Sequence, residues 1–151
     1  MHRKKTENGL TPQITPEELI SYIPEVEKIC EITAVQPFNL DSSNVVPENW
    51  SMLVKVIREH YDAFDGFIIA HGTDTMAYTA AALSYMIQNS PKPIVITGAQ
   101  RPINLDITDA KTNLSDSFYY ACDDASQGVQ ILFDGKVIAG TRAKKSADQE
   151  L

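Results

Sequence analysis

Two short apolar runs separated by a helix-forming segment constrain the fold of this chain more than any other feature. The runs are Gly66–Ala70 (GFIIA) and Pro93–Thr97 (PIVIT), and the Ala-rich segment Asp74–Asn89 lies between them. Continuous apolar runs of this length are typical of strands that are covered on both faces. Because a helix joins them, the second strand is expected to run parallel to the first after a crossover. The pattern therefore predicts a parallel sheet with helices packed on it.

The flanking segments extend this alternation toward the N terminus. Residues Thr15–Glu18 have the sequence of a capping box with proline at the first helical position, and they predict a short helix that stops near Pro24. A strand is expected at Ile29–Val35, and the residues up to Pro12 are expected to form a polar loop. A longer helix is predicted from Pro47, because apolar residues recur there at helical spacing. They are Trp50, Leu53, Val54, Ile57, Tyr61 and Phe64.

The C-terminal part of the sequence predicts a helix followed by a hairpin. The helix is expected at about Thr108–Cys122 and a strand at Val129–Phe133. Asp134-Gly135 is a hairpin turn signal, so Lys136–Ala139 is expected to return antiparallel. The alternation of strands and helices predicts an α/β fold: a doubly wound, mainly parallel sheet with helices on both faces and a C-terminal β-hairpin.

The net charge, the length of the apolar segments and the spacing of the cysteines argue against several classes of protein. The net charge of −7 argues against nonspecific binding to nucleic acid or to an anionic membrane, since both reward clustered Lys and Arg. No segment has membrane-spanning length, and the N terminus has no apolar stretch of the signal-peptide kind. Cys30 and Cys122 are distant in sequence and lack metal-ligand spacing. We therefore expect two buried, reduced thiols in a cytoplasmic protein, without zinc or a disulfide.

Three polar loops follow the predicted strands. Asp41-Ser42-Ser43 follows the first strand, His71–Thr75 the second and Gly98–Arg101 the third. The carboxyl ends of the strands border the ligand crevice in such sheets, so the loops are expected to meet there. Their hydroxyls and carboxylates suit recognition of a small zwitterion and acyl chemistry. The sequence has no metal constellation, phosphate-binding glycine loop or G-x-S-x-G elbow, so neither a metal nor a cofactor is expected.

The loop after the second strand also has a purely structural interpretation. Gly72-Thr73-Asp74 could be a tight strand-to-helix turn in which Asp74 or Thr73 caps the helix. In the functional interpretation, helix N-terminal amides bind an anion while Asp74 holds a cation. His71 is expected to be a hydrogen-bonded structural histidine that points back into the sheet.

The other loops carry the same ambiguity. Asp41–Ser43 could be a loop capped by its own side chains, and Arg101 could form a structural ion pair. Lys144 and Lys145 could be surface charge. One of these lysines could instead fold back toward Asp74 and act as a base, which would require burial and neighbours that lower its pKa.

Five short motifs occur together in this sequence. They are Asn39–Ser43, His71–Met76, Ile96–Pro102, Thr108–Ala110 and Asn113–Leu114. In order and spacing they resemble the motifs of the bacterial-type L-asparaginases, nearest to the cytoplasmic type I branch. The resemblance covers nearly the whole chain, and its most specific part is HGTDTM after a buried strand.

The resemblance implies a reaction and roles for individual residues. Such enzymes hydrolyse the side-chain amide of L-asparagine to L-aspartate and ammonia without metal or cofactor, through a threonine acyl-enzyme. Thr73, Asp74 and Lys145 would form the catalytic set. Thr73 would contact the scissile amide and position water, and Asp74 would bind the substrate α-amino group. The substrate-binding residues would be Asp41, Ser42, Ser43, Gly72 and Ala99, the last through its backbone carbonyl.

The sequence departs from the family pattern in two places. The signature Thr-Gly-Gly-Thr-Ile, which carries the primary nucleophile on the family's first strand, does not occur, and Leu10 stands where many members have tyrosine. Residues 1–151 are therefore expected to be an asparaginase N-terminal domain that lacks its first strand, with the C-terminal asparaginase domain absent. We expect this chain alone to be weakly active or inactive. An exposed sheet edge also predicts marginal stability or aggregation.

Two other functions are compatible with the same residues. The chain could be a pseudoenzyme or binding fragment that senses asparagine or aspartate in the remaining crevice. It could also be the asparaginase-like subunit of a glutamyl-tRNA amidotransferase, which carries the HGTDT core together with an extra N-terminal barrel and a tRNA-binding partner. The family further implies a homodimer or tetramer, in which the C-terminal domain supplies much of the partner's active site.

Overall fold

The structure is a computed structural model that describes residues 2–6, 9–13, 15–37, 45–99 and 109–141. Its elements in chain order are β1 (His2–Thr6), β2 (Gly9–Gln13), α1 (Pro16–Ser21), a 3₁₀ helix (Pro24–Lys28), α2 (Pro47–His60), β3 (Phe67–Gly72), α3 (Met76–Met86), β4 (Pro93–Ala99), α4 (Asp109–Ala121), β5 (Gly128–Phe133) and β6 (Lys136–Ala139). Within these ranges, every helix is too short or too polar to cross a membrane.

The central sheet has four strands in the order β3-β4-β5-β6. β3, β4 and β5 are parallel, and β6 returns antiparallel to β5. Asp134 and Gly135 make the turn with φ angles of 51° and 72°, the left-handed conformation of a tight hairpin. The predicted α/β fold with a mainly parallel sheet and a C-terminal hairpin is therefore confirmed.

Alternate residues of the strands face two different layers of helix. Phe67, Ile69, Ile94 and Ile96 pack into one cluster with α2 and α3, and Leu53 and Leu83 are among the helical residues of that cluster. On the other face, Ile68 packs in a second cluster with the 3₁₀ helix and α4, through Val26 and Leu114. The period-2 alternation of strand side chains explains this division, and it produces the doubly wound arrangement.

The helices begin close to where the sequence predicts them. The hydroxyl of Thr15 accepts a hydrogen bond of 3.2 Å from the Glu18 amide, which starts α1. In α2 the buried apolar residues are Leu53, Val54 and Ile57, as the helical periodicity requires. α3 is shorter than predicted at both ends, because residues 73–75 form a turn before it begins and it ends at Met86, before Asn89 with its left-handed φ of 58°. α4 lies within its predicted range.

Two predictions about the N-terminal third are wrong. Residues 2–13 contain an antiparallel hairpin of β1 and β2, in which Thr6 pairs with Gly9, where a polar loop was expected. The predicted strand at Ile29–Val35 is also absent: Ile29 ends the 3₁₀ helix and residues 30–37 have no regular secondary structure. The residue types suit a strand, but a strand also needs a neighbour that completes its hydrogen bonds.

A cavity of about 430 Å³ lies beside β3 on the side away from β4. Segment 31–37 and residues 66–72 line it, and residues of α1, α2 and α4 complete its walls. Within the described residues, β3 pairs only with β4, so its other edge faces this cavity. The apolar surface predicted at an exposed sheet edge is located here.

The prediction for the cysteines is also wrong in part. Cys122 is exposed and Cys30 is half-buried, so neither is a buried core residue. Although they are distant in sequence, Cys122 is near enough to Cys30 to add to the burial that raises the pKa of the Cys30 thiol to about 11. Both are free cysteines in the structure.

Candidate active site

The ends of β3 and β4 bring two of the predicted loops together. His71 pairs with Gly98 and Gly72 pairs with Ala99 in the parallel ladder. Thr73 and Asp74 leave the sheet directly after this pair, so they lie at the carboxyl edge beside Ala99. Thr73 is half-buried and Asp74 is exposed to solvent. A carboxylate and a hydroxyl therefore border the crevice that the fold predicts at this position.

The turn between β3 and α3 differs from the structural interpretation of the sequence. α3 begins at Met76, and its N-cap residue is Thr75, not Thr73 or Asp74. Thr73 lies two positions before this N-cap and Asp74 one position before it, so both are between the strand and the helix. The positive end of the α3 dipole points toward this turn and favours negative charge there.

Gly98 allows the two strands to approach closely at the site. A Cβ atom at this position would lie 2.3 Å from the carbonyl oxygen of His71, which is well inside the contact distance. The Gly98 carbonyl also accepts a hydrogen bond of 2.8 Å from the Asn113 side chain. The requirement for glycine here is therefore steric, and it keeps the β4 backbone close to the end of β3.

A chain of side-chain hydrogen bonds fixes His71 just before the polar turn. Its Nδ1 lies 2.6 Å from the Gly72 carbonyl oxygen, and its Nε2 lies 2.9 Å from the Thr79 hydroxyl. The indole nitrogen of Trp50 donates to that hydroxyl at 2.9 Å. Trp50 belongs to α2 and Thr79 to α3, so two helices hold the imidazole at the end of β3.

The direction of each bond in this chain follows from its donors and acceptors. A carbonyl oxygen only accepts, so Nδ1 of His71 carries a proton and donates to Gly72. Burial lowers the pKa of His71 from its usual value of 6.5, and the bond to Gly72 opposes that shift without cancelling it. In the neutral ring Nε2 is an acceptor, so the Thr79 hydroxyl donates to it while accepting from Trp50. His71 is therefore held by hydrogen bonds through both ring nitrogens, as expected for a structural histidine.

Asn113 joins β4 to the C-terminal hairpin. Its amide nitrogen donates to Gly98, and its side-chain oxygen accepts from the Asp134 amide at 3.0 Å. The side chain is 2% exposed, so both bonds are protected from water. One residue of α4 thus fixes the carboxyl end of β4 and the turn after β5.

Sequence reasoning missed the positioning roles of Trp50, Thr79 and Asn113. Thr79 follows Met76 by three residues on the buried stripe of the otherwise apolar α3, and it is wholly buried. A polar residue in such a stripe requires a partner, so this position was a detectable signal. Trp50 and Asn113 gave no comparable signal, because their partners are distant in sequence.

The structure brings together only part of the predicted site. Gly72, Thr73, Asp74 and Ala99 lie at the neighbouring ends of β3 and β4. The other predicted site residues, Asp41, Ser42, Ser43 and Lys145, are outside the described residues, as is the Gln100-Arg101 loop. Within the described ranges no group of three or more His, Cys, Asp or Glu side chains could hold a metal ion.

Comparison with known proteins identifies the family to which this geometry belongs. Residues 1–151 match the model of the family described as Asparaginase, N-terminal. L-asparaginase 1 of Escherichia coli K12 is 42% identical over 107 residues, which are 71% of this chain and 32% of that protein. A glutamyl-tRNA(Gln) amidotransferase subunit of Archaeoglobus fulgidus is 41% identical over 121 residues, 80% of this chain and 29% of that protein.

Solved structures agree with the sequence comparison. The probable cytoplasmic L-asparaginase of Campylobacter jejuni superimposes with a TM-score of 0.82 at 31% identity, over 87% of this chain and 43% of that one. This chain spans about a third of the length of the curated relatives that it matches. The family match along all 151 residues and the shared fold lead to one conclusion: the chain belongs to the asparaginase family of amide hydrolases, in the part that corresponds to its N-terminal domain.

Proposed function

We propose that this chain forms the substrate-binding half of an L-asparaginase, which converts L-asparagine and water to L-aspartate and ammonia. Thr73 contacts the scissile amide and positions water, and Asp74 binds the α-amino group of the substrate. Lys145 completes the set as the base. Asp41, Ser42 and Ser43 hold the α-carboxylate and the amine, and the Ala99 carbonyl accepts from the leaving amide. The proposed reaction needs neither a metal nor a cofactor.

The observation that carries this proposal is the pairing of Gly72 with Ala99. It sets the Thr73-Asp74 turn beside the backbone of the β4 end, so a substrate amide can meet a hydroxyl and a carbonyl together. Asp74 is exposed to solvent at this edge of the sheet, where the ammonium group of the substrate would approach.

The nucleophile is proposed to come from a strand that is not among these 151 residues. In the family a threonine on the Thr-Gly-Gly-Thr-Ile strand has this role, and the sequence contains no such segment. The cavity beside β3 is bounded by the strand edge that has no partner among the described residues and by apolar helix residues, and it reaches His71 and Gly72. An extended apolar segment in this cavity would satisfy the edge of β3 and end next to Thr73.

Ammonia release from L-asparagine tests the two parts of the proposal separately. The purified 151-residue chain is expected to release little or no ammonia alone, and more when a synthetic peptide containing Thr-Gly-Gly-Thr-Ile is added. The gain should be lost with Thr73→Ala and with a peptide in which the threonines are valines. Ammonia release by the chain alone, at a rate that Thr73→Ala abolishes, would contradict the proposed need for a second threonine.

Calorimetry with L-aspartate tests substrate recognition without requiring turnover. Heat of binding is expected for the wild-type chain and for the control Asp62→Asn, an exposed carboxylate in the turn after α2. Asp74→Asn should weaken binding about 10-fold or more, because the amide cannot neutralise the substrate ammonium. Binding without any turnover, even with the added peptide, would favour a non-catalytic asparagine or aspartate sensor.

A second candidate function is the ammonia-releasing subunit of a glutamyl-tRNA amidotransferase. Its support is the 41% identity to the amidotransferase subunit of Archaeoglobus fulgidus, nearly equal to that of the asparaginase. The net charge of −7 disfavours direct contact with RNA. A mobility shift with tRNA, or ammonia release from free L-glutamine but not from L-asparagine, would favour this alternative.

Two further expectations concern the localisation and the oligomeric state of the protein. Cytoplasmic localisation is supported by the likeness to the probable cytoplasmic L-asparaginase of Campylobacter jejuni, and cell fractionation tests it. The family's homodimer or tetramer is a separate expectation for the assembled enzyme. Light scattering of the chain with and without the added peptide would measure whether the chain associates.

A further inference from the structure

The outer face of α3 is apolar and uncharged, although it is turned toward solvent. Tyr78 is 69% exposed and Tyr85 is 79% exposed, which are large fractions for aromatic side chains. Ala81 and Ala82 lie between them and are half-buried. Met86, one position after Tyr85, is 38% exposed. A helix that is mainly apolar on every side is normally covered on every side, so this face indicates a partner.

The neighbouring helix α2 shows what a solvated helix surface looks like in this chain. Its outward positions include Lys55, Arg58 and Glu59, all of them exposed. From Thr75 to Pro91, by contrast, the sequence contains no charged residue, although the whole chain has a net charge of −7. Two copies of an acidic chain repel each other least where neither carries charge. The α3 face is therefore favourable for a second copy on electrostatic grounds.

The spacing of the residues on this face is symmetric. The two tyrosines and the two alanines stand at positions i, i+3, i+4 and i+7 of α3, which places them on one side of the helix. Their order, tyrosine-alanine-alanine-tyrosine, is the same in both directions, and its centre lies between Ala81 and Ala82. The tyrosines are about 10 Å apart along the helix axis, at roughly 1.5 Å per residue. Such a face is complementary to an antiparallel copy of itself.

We propose that the outer face of α3 is a dimerisation surface whose partner is a second copy of this chain. The two α3 helices pack antiparallel about a two-fold axis that passes between Ala81 and Ala82. Tyr78 of one protomer then lies against the partner's Tyr85, and the reverse contact follows by symmetry. The small alanine side chains at the centre allow the helix axes to approach to the short end of the usual range of roughly 8–10 Å.

The area of this face fits a weak, reversible dimer. A fully covered tyrosine buries about 150–250 Å², so the exposed parts of Tyr78 and Tyr85 together offer about 300 Å² per copy. Met86 and the two alanines add to this area. The total for two copies stays below about 1,200 Å², in the range of transient complexes. We therefore expect a Kd in the micromolar range and a folded monomer at low concentration.

This interface differs from the dimer that the family implies. In that dimer the C-terminal domain supplies much of the partner's active site, whereas the α3 face consists of residues of the N-terminal domain alone. Its tyrosines and alanines are not among the predicted catalytic or substrate-binding residues. The dimerisation surface is therefore independent of the proposed asparaginase function, and it can be tested without turnover.

Sedimentation velocity of the 151-residue chain, from low micromolar to near-millimolar concentration, tests the surface. The wild type is expected to shift from monomer to dimer as its concentration rises. Tyr78→Glu and Tyr85→Lys should each weaken the dimer at least about 10-fold, because each change removes two aromatic contacts across the two-fold axis. Tyr119→Lys, which changes an exposed tyrosine of α4, is the matched control and should leave dimerisation unchanged.

The double variant Tyr78→Glu with Tyr85→Lys tests the antiparallel arrangement. In an antiparallel pair, each new carboxylate faces a new ammonium group of the partner, so the double variant should dimerise more tightly than either single variant. In a parallel pair, like charges would face each other and the dimer would stay weak. High salt should weaken the dimer of the double variant but not that of the wild type, whose contacts are uncharged.

Several outcomes would overturn the proposal. A wild type that stays monomeric would mean that a different protein partner covers the α3 face. Dimers or larger aggregates that neither single variant weakens would place the contact on another surface, such as the edge of β3. A double variant that dimerises no better than the single variants would contradict the antiparallel alignment. Circular dichroism checks that every variant retains the wild-type fold, which is expected because the substituted side chains are exposed.

Discussion

β3 and β4 have similar apolar sequences and run parallel to each other, but their surroundings differ. β4 lies between β3 and β5, and its residues Ile94, Val95 and Ile96 have no exposed surface. In β3, which has one described neighbour, no residue is fully buried. The same kind of sequence therefore gives a core strand in one place and an edge strand in the other. Burial of a strand depends on its neighbours as much as on its own residues.

This difference extends to the candidate site, which uses both strands. On the β4 side, β5 pairs with the strand up to Ile96, and beyond that point the Asn113 side chain holds the Gly98 carbonyl. On the β3 side, β4 is the one described sheet partner, and the Trp50-Thr79-His71 hydrogen bonds hold the other side of the strand end. We infer that the β4 side is the more stable half of the site.

The largest expected difference between the strands is in the cost of truncating a core side chain. Ile96→Ala should lower the free energy of unfolding by about 4 kcal/mol, because it opens a cavity in a fully buried position. Ile69→Ala in β3 should cost roughly half as much, since Ile69 is only half-buried. Urea unfolding followed by fluorescence measures both. Equal losses would mean that β3 is as well covered as β4.

The close approach of the strands at the site gives the next largest effect. Gly98→Ala should destabilise the chain by about 3 kcal/mol, because the new Cβ would lie 2.3 Å from a backbone oxygen of β3. Gly66→Ala is the matched control: its Cβ would lie 3.0 Å from a Pro93 side-chain atom, which can shift. The same unfolding measurement applies. If Gly66→Ala is the more damaging change, the strands are not closely apposed at Gly98.

Loss of the Asn113 side chain should have a smaller effect on the β4 end. Asn113→Ala leaves the Gly98 carbonyl and the Asp134 amide without their side-chain partner, at a cost of about 2 kcal/mol. Asn113→Asp keeps an acceptor for Asp134 but directs a carboxylate oxygen at Gly98, so it should not restore stability. Thr112→Ala on the exposed side of the same helix is the control and should change stability little. An Asp variant as stable as wild type would contradict this network.

The smallest expected effect is a pH dependence of the β3 side. Because the folded pKa of His71 is lowered, the unfolded chain binds a proton to this residue at a higher pH than the folded chain. Its contribution is fully present above the unfolded value of 6.5 and is lost as pH falls below it. Stability should therefore fall between pH 7 and pH 5 more steeply in wild type than in His71→Gln. Parallel pH profiles of the two proteins would show that His71 protonates freely when folded.

The sequence predicted the elements that depend on local information. The apolar stripe from Trp50 to Phe64 located α2, and Asp134-Gly135 located the hairpin turn with its positive φ angles. The apolar runs located β3 and β4, and their parallel pairing followed from the helix between them. Thr73 and Asp74 were correctly expected to follow β3, because a loop after a strand begins where the strand ends.

Predictions that depended on distant partners were less successful. Ile29–Val35 has strand-like residues but pairs with no described strand, so its propensity alone did not produce one. Cys30 and Cys122 were expected to be buried core residues, but Cys30 is half-buried and Cys122 is exposed, because both lie at the ends of surface elements. The assignments of Asp41, Ser42, Ser43 and Lys145 remain predictions outside the described residues.

The sequence by itself determined the fold class, the family and the position of the HGTDT turn, because periodicity and motif spacing are properties of neighbouring residues. Only the tertiary structure decided that both ring nitrogens of His71 are hydrogen-bonded. The Gly72 carbonyl accepts a hydrogen bond from Nδ1, and the Thr79 hydroxyl donates one to Nε2. Trp50, on another helix, donates to the same hydroxyl and so fixes its direction. Hydrogen-bond direction and burial depend on which distant groups meet, and that is decided by packing.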